Sequence, residues 1–156
     1  MIVVADTSPL NYLIQIECDH LLPALYGEVF LPPAVMQELK HPGAPASVRG
    51  WLQKVPAWIK VHAITSLADE SLVFLDPGER EAIQLAQEQK AGLLLIDEHK
   101  GRIEARRRGL NITGTLGVLL AAAELGLADA KVMYQRLINE TSFRTTPELR
   151  IRFFGY

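Results

Sequence analysis

Residues 1–10 read MIVVADTSPL and residues 92–97 read GLLLID: two short apolar runs, each ending on an aspartate, Asp6 and Asp97. Continuous apolar runs of this length suit strands buried on both faces, as in a parallel sheet covered by helices. Three more short β-type stretches follow the same logic: EVFLP (28–32), WIKVHAI (58–64) and NIT (111–113). Between them lie segments of helical period: PLNYLIQIE, HLLPALYG, PAVMQELK, SVRGWLQKV, DPGEREAIQLAQEQK and HKGRIEARRRG. TLGVLLAAAELG and ADAKVMYQRLINE add two amphipathic helices, and the tail from Thr141 onward carries no clear pattern. Strands separated by helices require crossover connections, so the fold class is α/β, a central, mostly parallel sheet between helical layers. In such sheets ligands bind beyond the carboxyl ends of the strands, where both aspartates fall.

Asp6 has a competing structural reading. Ser8 followed by Pro9 supplies an N-cap and a first-turn proline for the helix that follows, which leaves Asp6 without a structural task. The 156 residues predict one domain spanning 1–156. With 49% hydrophobic and 22% charged residues and a net charge of −2, the chain is not disordered and carries no global basic signature. Any nucleic-acid surface must be local. The lone cysteine, Cys18, reads as core filler in a reducing cytoplasm. Four scattered histidines offer no spacing that suits zinc. Without a leader pattern or a long apolar run, a soluble, unexported, cytoplasmic protein with no membrane partner is expected.

Two glutamates sit on apolar stripes. In PAVMQELK, Glu38 shares a face with Val35 and Leu39, close to a helix C-terminus where the macrodipole disfavours negative charge. In DPGEREAIQLA, Glu79 shares a face with Ala82, Ile83 and Ala86, while it also occupies the capping-box position after Asp76. Cap and site are both open for Glu79. Glu81 falls on the opposite face with Gln84 and Glu88 and reads as solvated. Four carboxylates gathered in one pocket repel and take up protons or a cation. An all-oxygen set suits a hard ion, Mg²⁺ or Mn²⁺, of the kind that serves phosphate chemistry.

Counter-charge for a phosphate follows Asp97 directly: Lys100, Arg102, Arg106, Arg107 and Arg108. A solvated basic helix end reads equally well. Arg144, Arg150 and Arg152 with Phe153, Phe154 and Tyr156 read as a second strip for phosphates and stacked bases, or as oligomer packing. A dehalogenase-type phosphatase needs an aspartate where Ser8 stands. A receiver domain needs an acidic pair and a strand-end lysine, and glycine-rich nucleotide-binding loops are missing.

DTSPL, LPPAVMQEL, DPGEREAIQLA, LLLIDEHKGRIEARRRGL and ITGTLGVLL, in this order, resemble the PIN-domain proteins. Within them the resemblance is to a prokaryotic branch related to VapC-type toxins, over about residues 1–140. The resemblance implies an α/β/α fold and a Mg²⁺- or Mn²⁺-dependent endoribonuclease acting on single-stranded or structured RNA. Asp6, Glu38, Glu79 and Asp97 match the four acids that bind metal and catalyse. Thr7 or Ser8 matches the hydroxyl near the first acid. Thr115 matches the hydroxyl after the last strand, where it would otherwise be a plain N-cap. Ser8, Lys100, Arg102, Arg106, Arg107, Arg108 and Thr115 are then expected to contact substrate. The resemblance also implies a homodimer or higher homo-oligomer and, for a toxin, an antitoxin partner. Two positions depart from the pattern: Glu79 where aspartate is common, and Glu98 where a second aspartate often follows the fourth acid. The alternative is a catalytically weak PIN-like module that binds RNA or a partner protein.

Overall fold

The computed structural model describes residues 1–154, without the side chain of Phe154. Its sheet contains β1 (Val3–Ala5), β2 (Val29–Leu31), β3 (Ile59–Val61), β4 (Leu93–Leu95) and β5 (Ile112–Thr113) in the order β3-β2-β1-β4-β5. Every pairing is parallel. The helices are α1 (Thr7–Gln15), α2 (Leu21–Tyr26), α3 (Pro33–Leu39), α4 (Ala46–Gln53) and α5 (Pro77–Glu88). They continue with α6 (His99–Arg107), α7 (Thr115–Glu124), α8 (Ala130–Glu140) and α9 (Pro147–Phe154).

The alternating geometry of a strand explains why the central runs are apolar throughout. Val3 and Ala5 enter a core with Leu10 and Leu13 of α1, Leu22 of α2 and Val118 of α7. Val4, between them, enters a second core with Ile83 of α5 and Ala105 of α6. Leu95 and its neighbours Leu94 and Ile96 divide the same way, so both faces of β4 are covered. Each face therefore needs an apolar side chain at every position.

Local details correct two expectations and settle the tail. Helix α1 begins at Thr7, so Asp6, not Ser8, is its N-cap residue, and Asp6 makes no side-chain cap hydrogen bond. Pro9 falls later in the first turn, where a missing N–H still costs no helical bond. The tail, whose state the sequence leaves open, forms α9, which packs against α8 with the Phe153 and Tyr134 rings stacked at 4.5 Å. Phe153 is thereby buried within its own chain, and neither a base nor a second copy can stack on it. Upstream, Phe143 meets Tyr12 of α1 edge-on at 5.3 Å, which pins the start of the tail against α1. Tyr156 lies outside the described residues. No helix among the described residues is long and apolar enough to cross a membrane.

Candidate active site

From β1 the chain crosses to β2 and β3 on one side, whereas β4 leads to β5 on the other. The crevice beyond the ends of β1 and β4 is thus the topological switch point of the sheet, and Asp6 and Asp97 both emerge there. The Asp6 N–H donates to the Leu95 carbonyl at 2.9 Å, extending the β1–β4 ladder by one bond and fixing where the Asp6 side chain starts. That side chain is 3% exposed, and its Oδ1 is buried without a hydrogen-bond partner among the described residues. Burial raises the carboxyl from 3.8 to about 8; the Thr7 N–H opposes the shift, and the charges of Glu79, Glu38 and Asp97 add to it. Glu38, Glu79 and Asp97 are therefore all close enough to Asp6 for their charges to act on it.

Glu38 has a structural anchor that its place near the α3 C-terminus conceals. Its Oε2 accepts the Gly78 N–H at 2.7 Å and its Oε1 accepts the Thr7 hydroxyl at 2.6 Å. The carboxylate therefore sits on the positive end of α5, which offsets the unfavourable end of its own helix. A Cβ at Gly78 would stand 2.7 Å from the Glu38 carboxyl carbon, so only glycine leaves room for it. Of the two hydroxyls open from sequence, Thr7 is the one bonded to an acid; Ser8 lines a cleft beside Asp97.

Glu79 is 6% exposed in the first turn of α5. Burial leads in pushing its carboxyl up to about 7, with Asp76 and Glu98 adding and the Asp76 N–H opposing. Asp76 itself makes no side-chain cap bond, so the expected box is at most half formed. The opposite face of α5 is not solvated as expected. Gln84 is buried, donating to Ser66 Oγ and the Leu67 carbonyl, and Glu88 accepts the Thr65 and Ser66 N–H groups. Glu81 accepts the Ala34 N–H at 3.0 Å, at the start of α3. The loop between β3 and α5 covers this face, which helical period alone cannot reveal.

Asp97 is held at the N-terminus of α7. Thr115 donates its N–H to Oδ1 at 2.8 Å and its hydroxyl to Oδ2 at 2.7 Å. Thr115 is fully buried in this task, with both donors turned to Asp97. Burial raises the Asp97 carboxyl, while the Thr115 bonds and the Arg102 charge oppose the rise. A Cβ at Gly114 would stand 2.5 Å from Asp97 Oδ1. Gly78 and Gly114 are thus the residues sequence reasoning missed. Their signal was a glycine in, or just before, the first turn of a helix that an acid from elsewhere must approach.

The basic run divides. Arg102 Nη1 donates to the Ile96 carbonyl at 2.9 Å and stays beside Asp97; Lys100 and Arg106 are exposed. Arg107 pairs with Glu104. Arg108 pairs with Glu104 and Asp69, both at 2.8 Å, and also bonds Gln87 and Ser71, away from the four acids. Two clefts flank Asp97, of ≈ 510 and ≈ 440 Å³, and both are lined by Phe143 and Arg144.

The donor chemistry fits a hard divalent cation: carboxylates only, one of them with a buried oxygen lacking any partner. Among the described residues, no three His, Cys, Asp or Glu side chains already stand at metal-holding spacing.

Comparison with known proteins gives a family model, DUF3368, described as a PIN domain, that matches residues 2–154. No curated protein sequence matches. Among solved structures, the PIN domain endonuclease Utp24 is similar with a TM-score of 0.52 and 18% sequence identity, covering 72% of this chain and 83% of that one. That likeness is one of fold.

Proposed function

The chain belongs to the PIN-domain family, and from that premise we propose that it is a divalent-metal-dependent endoribonuclease. The observation that carries the proposal is Asp6: buried at the switch point, facing Glu38, Glu79 and Asp97, with one oxygen lacking a partner. A buried, like-charged cluster of this kind opposes folding, so its presence argues for function over stability. In this reading Asp6 and Asp97 are the main metal ligands, with Glu38 and Glu79 beside them. A Mg²⁺ or Mn²⁺ ion held by these carboxylates would supply positive charge for the oxygens of a phosphodiester and would lower the pKa of a water.

The chain's own groups prepare the site. Thr7 and Gly78 orient Glu38, and Thr115 orients Asp97, so neither carboxylate swings when substrate enters. Arg102, Lys100 and Arg106 meet phosphate oxygens, with Ser8 on the cleft wall. A toxin of the VapC-related branch, working in the cytoplasm as a homodimer and restrained by an antitoxin protein, is the role the sequence resemblance supports.

A second reading, a module that binds RNA or a partner without cutting, is favoured by one observation. Glu38 and Asp97 are each satisfied by two hydrogen bonds from their own chain, so the pocket persists without metal. Incubation of end-labelled single-stranded RNA with the protein in Mg²⁺, Mn²⁺ or EDTA separates the two. The nuclease reading predicts internal cleavage with either metal and none in EDTA; RNA bound and left whole in all three supports the second reading.

A further inference from the structure

The cleft of ≈ 510 Å³ beside Asp97 has two walls of different origin. One comes from the site itself, Asp97 and Arg102; the other comes from the C-terminal segment, Phe143, Arg144 and, from α9, Leu149 and Arg152. Leu149 and Arg152 are three residues apart and so share one face of α9, with Phe153 anchoring that helix on Tyr134. The second cleft, ≈ 440 Å³, reaches from Asp97 to Ser8 and Tyr12, and Arg144 stands where the two meet.

The charges of this wall are unspent. Arg107, Arg108 and Arg136 are each paired with a carboxylate. Arg144 and Arg152 form no ion pair with any described acid, and both are exposed. A guanidinium pair lining a concave cleft next to an acidic site attracts an anion that the acids alone would repel. The cleft volumes suit one unpaired nucleotide each, within the range of about 300–1,000 Å³ typical of small-ligand pockets. The aromatic edge contact of Phe143 and Tyr12 forms the rim between them.

We propose that the C-terminal segment builds a single-stranded nucleic-acid subsite, in which Arg144 and Arg152 grip successive backbone phosphates on either side of the nucleotide in the larger cleft. The inference rests on the nucleic-acid reading of the acidic site and adds where the strand runs: through both clefts, past Asp97. Arg144 and Arg152 act here as positioning residues.

The test is binding of a fluorescein-labelled 12-nucleotide single-stranded RNA in EDTA, measured across salt concentrations, alongside cleavage of the same RNA in Mn²⁺. The variants are Arg144→Ala, Arg152→Ala and, as a control of equal charge change, Arg150→Ala, whose side chain lines a different hollow on α9. All three positions are exposed, and thermal melts check that each variant folds. Arg144→Ala and Arg152→Ala are expected each to flatten the log Kd against log salt slope by about 0.7, the value of one lost phosphate contact on a single strand. Each is also expected to raise KM for cleavage more than it lowers kcat. Arg150→Ala keeps the wild-type slope. Equal slopes for all three variants overturn the subsite, even where the wild-type protein cleaves RNA. Arg144-dependent binding by a protein that never cleaves supports the subsite and sinks the nuclease reading. Absence of wild-type binding overturns the subsite, and absence of both binding and cleavage overturns the nuclease reading as well.

Discussion

Asp6 shows how one residue can be placed by the fold against its own preference. Its carboxyl is raised to about 8 from 3.8, so between those values the folded chain holds a proton that the unfolded chain has released. Stability then falls as pH rises through that window, and the full penalty is present above about 8. Glu79, raised to about 7, adds a smaller change of the same sign. In EDTA, the melting temperature of the wild-type protein is therefore expected to fall between pH 5 and pH 8. Asp6→Asn, which removes the ionisable group, is expected to flatten most of that fall and to melt higher than wild type at pH 8, by on the order of several kcal/mol in stability. Thermal melts of the two proteins across this pH range check it, and parallel curves would contradict it. The sequence placed Asp6 correctly at a strand end, yet assigned the helix cap to Ser8. Cap position depends on where the strand releases the chain, and a single bond from the Asp6 N–H to Leu95 sets that point.

At the scale of elements, α3 and α5 exchange caps. Glu38 of α3 takes the Gly78 N–H at the start of α5, and Glu81 of α5 takes the Ala34 N–H at the start of α3. The two glutamates of α5 therefore have separate tasks. Glu81→Gln is expected to lose about 1 kcal/mol, the worth of a charged cap, and to keep its cleavage rate. Glu79→Gln is expected to lose cleavage while the metal-free protein melts no lower than wild type, because an acid raised by burial gives up nothing when neutralised. Denaturant unfolding and cleavage rates on both variants decide between these tasks, and inactivity of Glu81→Gln would reverse them. Helical period was enough to find the inward stripe Glu79, Ala82, Ile83 and Ala86, all of which are buried. It misjudged the other face because a loop buries Gln84 and bonds Glu88, and a loop has no period. Likewise Glu38 looked unsuited to its own helix because its stabilising partner lies 40 residues further along the chain.

In the molecule as a whole, the parallel order β3-β2-β1-β4-β5 brings two strand ends together at one crevice, and helix N-termini converge on it. Asp6 begins α1, Glu38 and Glu79 sit at the start of α5, and Asp97 sits at the start of α7. Positive helix ends make a carboxylate cluster tolerable where burial alone would not. This arrangement was legible from two apolar runs ending on aspartate, because strand burial and switch-point geometry are properties of pattern. The fate of the arginine run was not legible, since neighbours on one helix diverge into different environments. Arg108 clamps α6 to Asp69, Ser71 and Gln87, so Arg108→Ala is expected to lower stability by about 1–3 kcal/mol and to leave the salt dependence of RNA binding unchanged. A flattened slope for that variant would return Arg108 to the substrate surface. The most direct measurement of the central claim compares wild type, Asp6→Asn and Glu81→Gln, each confirmed folded by its melt, in cleavage of single-stranded RNA with Mg²⁺ or Mn²⁺. The account predicts internal cleavage by wild type and Glu81→Gln and none by Asp6→Asn; cleavage by folded Asp6→Asn at the wild-type rate would contradict it.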